Sequence, residues 1–341
     1  MIISRKKKEI GSEFWDIPVS EQGNNFFPER TRWFISGTAA LESIIIDILN
    51  NNRIKTVALP SWCCNCMITP FLKYGIDVEF YPVYMKDGTL TCDYETVSAD
   101  CWVLISYFGY TSQLNKGRPS GTIIRDLTHS IFSNESFEAD YYFGSLRKWA
   151  GFFTGGFAWS DAWSSEPSFS ACDTSYIELR RTAMNLKKQY IHGVIETKEY
   201  LNLFERGEAF LDHCEPMLAY DLDVGKAVHL DWEFIKEKRR KNASILLASL
   251  GSWAIFPEMK DEDCPLFVPL LLDNEKRDAL RNYLRGKSIY CPIHWSIEPE
   301  HQLTDLTADL YKREISIVCD QRYDEEDMFM ILNAIKESGL I

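Results

Sequence analysis

"TIIRDLTHS", residues 122–130, decides how this chain is read. Thr122, Ile123 and Ile124 form an apolar, β-branched run, the composition of a buried strand. Asp126 ends the run and His129 follows it within one helical turn. In an open α/β sheet, ligands bind at the carboxyl ends of the strands, which is where this aspartate falls. A buried carboxylate needs a cationic or hydrogen-bonded partner, and a protonated ring nitrogen is one such partner. An aspartate capping the next helix explains the same spacing, so the neighbouring segments have to decide.

Upstream, "TVALP" (56–60), "DVEFYPV" (77–83) and "CWVLISYF" (101–108) have strand composition. Between and before them, "TAALESIIIDILNNN" (38–52) and "CNCMITPFLKYG" (64–75) have apolar residues at helical spacing. Strand alternating with helix predicts an α/β fold with a mainly parallel sheet flanked by helices. Downstream, residues 174–215 read as helical and "LDWEFIKEKRRKNASILLASLG" (230–251) as one long helix. The pattern then resets. Strands at 264–272, 288–295 and 315–320, with helices at 274–286 and 324–338, predict a smaller C-terminal α+β domain. The expected division is 1–230, a large domain with an N-terminal arm, and 231–341, a small one.

Bulk properties narrow the function. The chain has 341 residues and a net charge of −13 at pH 7, which argues against nucleic-acid binding. Its one basic run, "RKKK" at 5–8, reads as a solvated terminal segment. No apolar run reaches the ~18 residues of a membrane span, and the N-terminal residues lack the apolar core of a secretory signal. Ten cysteines without such a signal predict reduced thiols in a cytoplasmic protein.

Four further stretches could carry chemistry. In "FISGTAALE" (34–42), Ser36, Gly37 and Thr38 stand where an apolar segment meets a helix. A helix N-terminus with a glycine and a hydroxyl can hold a phosphate, and a plain Ser or Thr cap reads the same way. In "ALPSWCCNC" (58–66), Trp62 could stack on a flat ligand or fill the core. Cys63, Cys64 and Cys66 lack a second Cys/His pair at zinc spacing, so no metal site is expected. In "FGSLRKWAGFFTGG" (143–156), Lys148 is either a lysine snorkelling over aromatics or an amine with a depressed pKa able to bond a carbonyl carbon. Ser145 precedes it by one turn, and Gly155-Gly156 allow close packing. Arg147, His294 in "YCPIHW" and Arg322 in "DQRY" are candidate substrate contacts, with a solvated Arg or a satisfied His as the plain alternative.

Taken in order, these segments resemble the DegT/StrS type of pyridoxal-phosphate (PLP) dependent sugar aminotransferases, which have the aspartate aminotransferase fold (fold type I). The resemblance covers about residues 30–160 and is looser beyond. It implies that Gly37 and Thr38 hold the cofactor phosphate and that Trp62 stacks on the ring. Asp126 would pair with the ring nitrogen and His129 would lie near the phenolic oxygen. Lys148 would be the Schiff-base lysine and Ser145 a further phosphate ligand. It also implies glutamate as amino donor, a nucleotide-linked ketosugar as acceptor, and a homodimer with its active site between subunits. The sequence departs from the family in two places: the Ser145–Lys148 gap is short, and no Asn-x-Arg segment is evident, with "AMNLKKQY" (183–190) the nearest. Two rival readings remain: a PLP aminotransferase or lyase acting on an amino acid or other small keto compound, and a non-enzymatic protein using the cysteine cluster.

Overall fold

The computed structural model describes residues 9–21, 25–51, 54–111, 119–134 and 138–341. The basic run at 5–8 lies outside the described residues.

Seven strands build the main sheet. Their spatial order is Arg32–Phe34, Gly156–Trp159, Tyr141–Ser145, Thr122–Asp126, Cys101–Ile105, Thr56–Pro60 and Asp77–Tyr81. The last five pair in parallel, and Gly156–Trp159 runs antiparallel to both its neighbours. Parallel strands covered on both faces read as continuous apolar runs, and every residue of Cys101–Ile105 is buried. The register sets Ile105 beside Asp126 and Asp126 beside Phe143. The carboxyl ends of three strands therefore meet at one edge, and Asp126 is in the middle of it.

The helix Gly37–Asn51 begins at that same edge. Ser36 caps it, its Oγ accepting from the Ala39 N–H at 3.1 Å. Ala40, Leu41, Ile44, Ile45 and Ile48 recur at helical spacing and are buried against the sheet. Gly156 holds the helix start in place. A Cβ there would meet the Ser36 carbonyl oxygen at 1.9 Å, so only glycine lets this strand run so close to the turn. The second glycine, Gly155, has φ +138°, which other residues rarely adopt.

In the C-terminal third, Phe267–Leu271 pairs antiparallel with Glu314–Val318. The helices Trp232–Leu250, Asn274–Gly286 and Glu325–Ser338 contribute to a second apolar core that includes Leu246, Val268, Leu280, Ile317 and Ile331. Asp231 caps the first of these helices and Asp324 the last, the latter in a capping box with Asp327. Ile10 joins the same core, because Ile10–Gly11 pairs with Ile289–Tyr290.

Several elements differ from the sequence reading. The strand expected over 77–83 stops at Tyr81, and Val83–Lys86 then forms a hairpin with Thr89–Cys92. The strand expected over 288–295 is only Ile289–Tyr290. The helix Asp305–Arg313 was not expected, being too short for its period to stand out. The cysteines also need a correction: Cys64 and Cys66 form a disulfide, while the other eight are free. Among the described residues no helix is long and apolar enough to cross a membrane.

Candidate active site

A cavity of about 250 Å³ opens at the carboxyl edge of the sheet. Gly37 and Thr38 reach it from the helix start, Asp126 and His129 from the end of their strand, and Ser145, Arg147 and Lys148 from the next. Seven of the ten candidate site residues thus line one space. The short Ser145–Lys148 spacing does not separate them. Strand Tyr141–Ser145 ends at Ser145, a single 3₁₀ turn covers Leu146–Lys148, and both side chains line the cavity.

The charge state of Lys148 follows from its surroundings. Its Nζ lies 3.0 Å from His129 Nε2. Burial lowers its pKa to about 8; Asp126 pulls it back up and Arg147 pushes it further down. The His129 pKa is well below the ordinary value, first through burial and then through Lys148 and His294. A neutral imidazole carries one N–H. The Phe108 backbone N–H donates to His129 Nδ1 at 3.4 Å, which leaves the proton on Nε2. That N–H is placed to donate to the lone pair of Lys148 in its neutral form, the form that burial favours. The arrangement presents a nucleophilic amine in a half-buried cleft.

Asp126 is 9% exposed and accepts from the Thr128 N–H at 2.7 Å. Burial raises its pKa, while Thr128, Lys148 and Arg125 hold it down. On the same lining, Gly37 packs directly on Ser145: a Cβ at position 37 would lie 3.4 Å from the Ser145 Cβ. Gly37 and Thr38, the first residues of the helix, line the cavity, and the N–H groups of a first helical turn have no intrahelical acceptor. Arg147 also lines the cavity. It pairs with Glu208, which also accepts from Arg180 Nη1 at 3.0 Å, and the Arg147 Nε is buried without a partner.

Three expected residues lie elsewhere. Trp62 does not line the cavity. Its indole is fully buried, stacks on Tyr107 at 4.9 Å and donates from Nε1 to the His294 carbonyl at 2.7 Å. The apolar core took this tryptophan because Tyr107 covers one of its faces. His294 is buried behind His129, with its Nδ1 3.0 Å from Ser316 Oγ and its backbone N–H donating to Glu314 at 2.6 Å. Arg322 faces a different cavity and is held by Asp320, with Nε–Oδ1 and Nη2–Oδ2 both at 2.8 Å.

Sequence reasoning missed other lining residues. Trp295 contributes the aromatic face; its ring stacks on His129 with centroids 5.5 Å apart. It stands next to a residue the sequence reading did single out, but the direction of each side chain is set by tertiary packing. Glu208 arrives from the helix Tyr200–His213, whose pattern reads only as a charged helix. The Cys64–Cys66 disulfide borders the cavity as well.

No family model matches the sequence, and neither does any curated protein sequence. Solved structures do match. The Streptococcus pneumoniae sugar aminotransferase Spr1654, in its PLP form, is 14% identical over 96% of this chain and 93% of that one, with a TM-score of 0.62. The chain has the fold of these aminotransferases. Helicobacter pylori PseC, an aminotransferase of pseudoaminic acid biosynthesis, is 14% identical over 96% of this chain and 99% of that one, at 0.61. A DegT/DnrJ/EryC1/StrS aminotransferase from Brucella abortus is 16% identical over 93% and 88%, at 0.60. Coverage of both chains is near complete, so the shared fold takes in the small C-terminal sheet as well as the main one.

Proposed function

We propose that the protein is a PLP-dependent aminotransferase that moves an amino group from glutamate to a nucleotide-linked ketosugar. One observation carries this reading: a lysine amine whose pKa burial lowers, a buried carboxylate and a helix N-terminus converge on one cavity, as Lys148, Asp126 and Gly37–Thr38. The donor set fits the cofactor. Thr38, Ser145 and the helix N–H groups suit a phosphate, and Arg147, whose buried Nε has no partner, lines the same cavity. Asp126 suits a protonated ring nitrogen. Bound there, PLP supplies an electron sink for the substrate carbon that loses a proton.

The chain's own residues would do the rest. Lys148 would hold the cofactor at its aldehyde carbon, the aldehyde oxygen leaving as water, and its amine would carry the proton from the substrate carbon to the new position. Its pKa near 8 leaves a useful neutral fraction at physiological pH. His129 orients the Lys148 amine through its Nε2–H and stays uncharged, so it adds no competing cation. Asp126 keeps the ring-nitrogen proton in place. Trp295 and Phe143 cover the reacting groups from water. In place of Trp62, Trp295 is the aromatic residue positioned against a flat ligand.

We further propose that the working form is a homodimer with its site completed between subunits, and that residues 1–230 and 231–341 act as the larger and smaller domains. The same proposal places the protein in the cytoplasm, where eight of its ten cysteines would stay free, the Cys64–Cys66 pair being the exception. A single-turnover experiment tests the reaction type. PLP-loaded protein mixed with glutamate should yield 2-oxoglutarate in a 1:1 ratio to sites, and the aminated cofactor should then convert nucleotide ketosugars faster than simple keto acids. A protein that leaves the cofactor unaminated by glutamate, yet splits a β-substituted amino acid into its leaving group, ammonia and a keto acid, would be a lyase.

A further inference from the structure

Cys64 and Cys66 are bonded to each other across a single intervening residue. The other eight cysteines are free. Six of those are buried, Cys172 and Cys214 are half-buried, and burial raises the pKa of all eight. A buried thiol that stays protonated is inert in exchange and oxidation. The bonded pair is placed differently. Cys66 is exposed and Cys64 half-buried, and both line the cavity that holds Lys148 and Asp126. Accessible sulfur chemistry is therefore concentrated on the wall of the candidate active site.

The bond does little for the fold. A disulfide stabilises mainly by restricting the unfolded chain, and a loop closed over one residue restricts it least. The segment is also anchored without it. Trp62 Nε1 donates to the His294 carbonyl, the Cys63 N–H donates to the Tyr311 hydroxyl at 3.0 Å, and Met67, Ile68 and Phe71 of the helix Asn65–Lys73 pack into the main core. Position on that helix matters more. Cys64 is its N-cap and makes no side-chain cap hydrogen bond, and Cys66 belongs to its first turn. The partial positive charge of a helix N-terminus stabilises a thiolate and makes it a better leaving group in exchange.

We propose that Cys64–Cys66 is a reversible redox site: a thiol reductant opens the bond, and the thiolate freed on the cavity wall weakens the cavity's hold on an anionic ligand. A reductant thiolate attacks Cys66 Sγ, the exposed sulfur; the Cys64–Cys66 bond breaks and Cys64 leaves as the thiolate. A second reductant thiol then displaces Cys66 from the mixed disulfide. The pair gains two electrons, and the two reductant molecules lose them and end as their own disulfide. Of the two thiol protons, Cys66 keeps one and solvent takes the other while Cys64 stays ionised. The cavity wall already sets Asp126, Glu208 and Asp212 against Arg147 and Lys148, so a further negative charge tips it against anions. The redox pair stands on its own geometry; that the anion is PLP rests on the aminotransferase reading.

Full-length, cofactor-free protein equilibrated in mixtures of reduced and oxidised glutathione tests the proposal. Free thiols are alkylated and mapped by peptide mass. After desalting under inert gas, binding of PLP and of inorganic phosphate to each form is measured by calorimetry at about pH 8, near the pKa of an ordinary thiol. Cys64 and Cys66 should gain and lose the alkyl label together within the cytoplasmic range of glutathione ratios, while the other eight stay free. PLP should bind reduced wild type at least about threefold more weakly than oxidised wild type. The C64S/C66S variant should bind it equally after either buffer. Both arms of the main contrast are wild type, so it stands even if the variant folds poorly. A bond that stays closed or open across the whole range overturns the proposal, as do equal anion affinities of the two forms or a redox effect that persists in C64S/C66S. A pair that interconverts in a protein that binds phosphate more weakly when reduced, but never takes up PLP, overturns the aminotransferase reading and leaves the redox site standing. Binding of neither anion by either form overturns both.

Discussion

Lys148→Met is expected to stabilise the cofactor-free protein at pH 7, by about 1–3 kcal/mol. The folded state holds this lysine near a pKa of 8, against 10.5 for a free side chain. Between those values the unfolded chain binds more protons than the folded one, so wild-type stability rises with pH across that window. Below pH 8 the full cost of burying the lysine is present. Methionine has a similar length and no charge, so it escapes that cost, though it loses the contact with His129. Urea midpoints of both proteins from pH 7 to 10.5 check this. The advantage of the variant should be largest at pH 7 and should fade towards pH 10.5. A variant less stable than wild type at pH 7, with a difference that ignores pH, would mean that Lys148 is an ordinary solvated lysine. Gaining stability by losing a functional group is the common trade at active sites.

The second large effect is at Asp126. Asp126→Asn should leave the fold intact, because the amide oxygen can still accept from the Thr128 N–H. It should lower the transamination rate by about two to four orders of magnitude. Breaking one partner of a buried charged pair costs about 3–5 kcal/mol, and here that loss falls on the proton of the ring nitrogen. PLP uptake should persist, since Lys148 and the Gly37–Thr38 end are untouched. The reading requires the defect in the rate of the proton-transfer step; a variant with wild-type rates removes Asp126 from the chemistry.

Much of this arrangement was legible in the sequence, for physical reasons that can be named. A covered parallel strand announces itself as a β-branched run, and the residue that ends it stands at the ligand edge. That is why Asp126 could be placed from "TIIRD" and why Gly37–Thr38 could be placed from the start of an apolar-periodic helix. Local chemistry of this kind depends on neighbours in sequence. Trp62 and His294 were misplaced because the face a side chain shows depends on segments far away: Tyr107 covers Trp62, and Ser316 and Glu314 hold His294. For the same reason nothing in the sequence brought Trp295, Glu208 and the Cys64–Cys66 disulfide to the cavity. The strands Tyr141–Ser145 and Gly156–Trp159 escaped notice because their glycines break the usual strand composition, yet those glycines are what allow the close approach. Gly144 is a case in point, since a Cβ there would meet the Phe157 ring at 2.6 Å.

Arg322 shows how a correct location can go with a mistaken role. The sequence marked it as a substrate contact. It does border a cavity beside Lys148, but its donors are taken by Asp320 and by the carbonyls of Ser12 and Glu13. Arg239, Arg281 and Arg285 line that cavity too. They come from two helices that the sequence reading marked only as helices.

The central claim is that Lys148 is a reactive amine serving a bound aldehyde cofactor. Its most direct measurement is borohydride reduction of the full-length protein incubated with PLP, followed by peptide mapping. The account predicts a visible absorbance before reduction, and afterwards one PLP-derived mass increment per chain on the peptide carrying Lys148. A protein that stays colourless, or that carries the label on surface lysines with Lys148 unmodified, would contradict it.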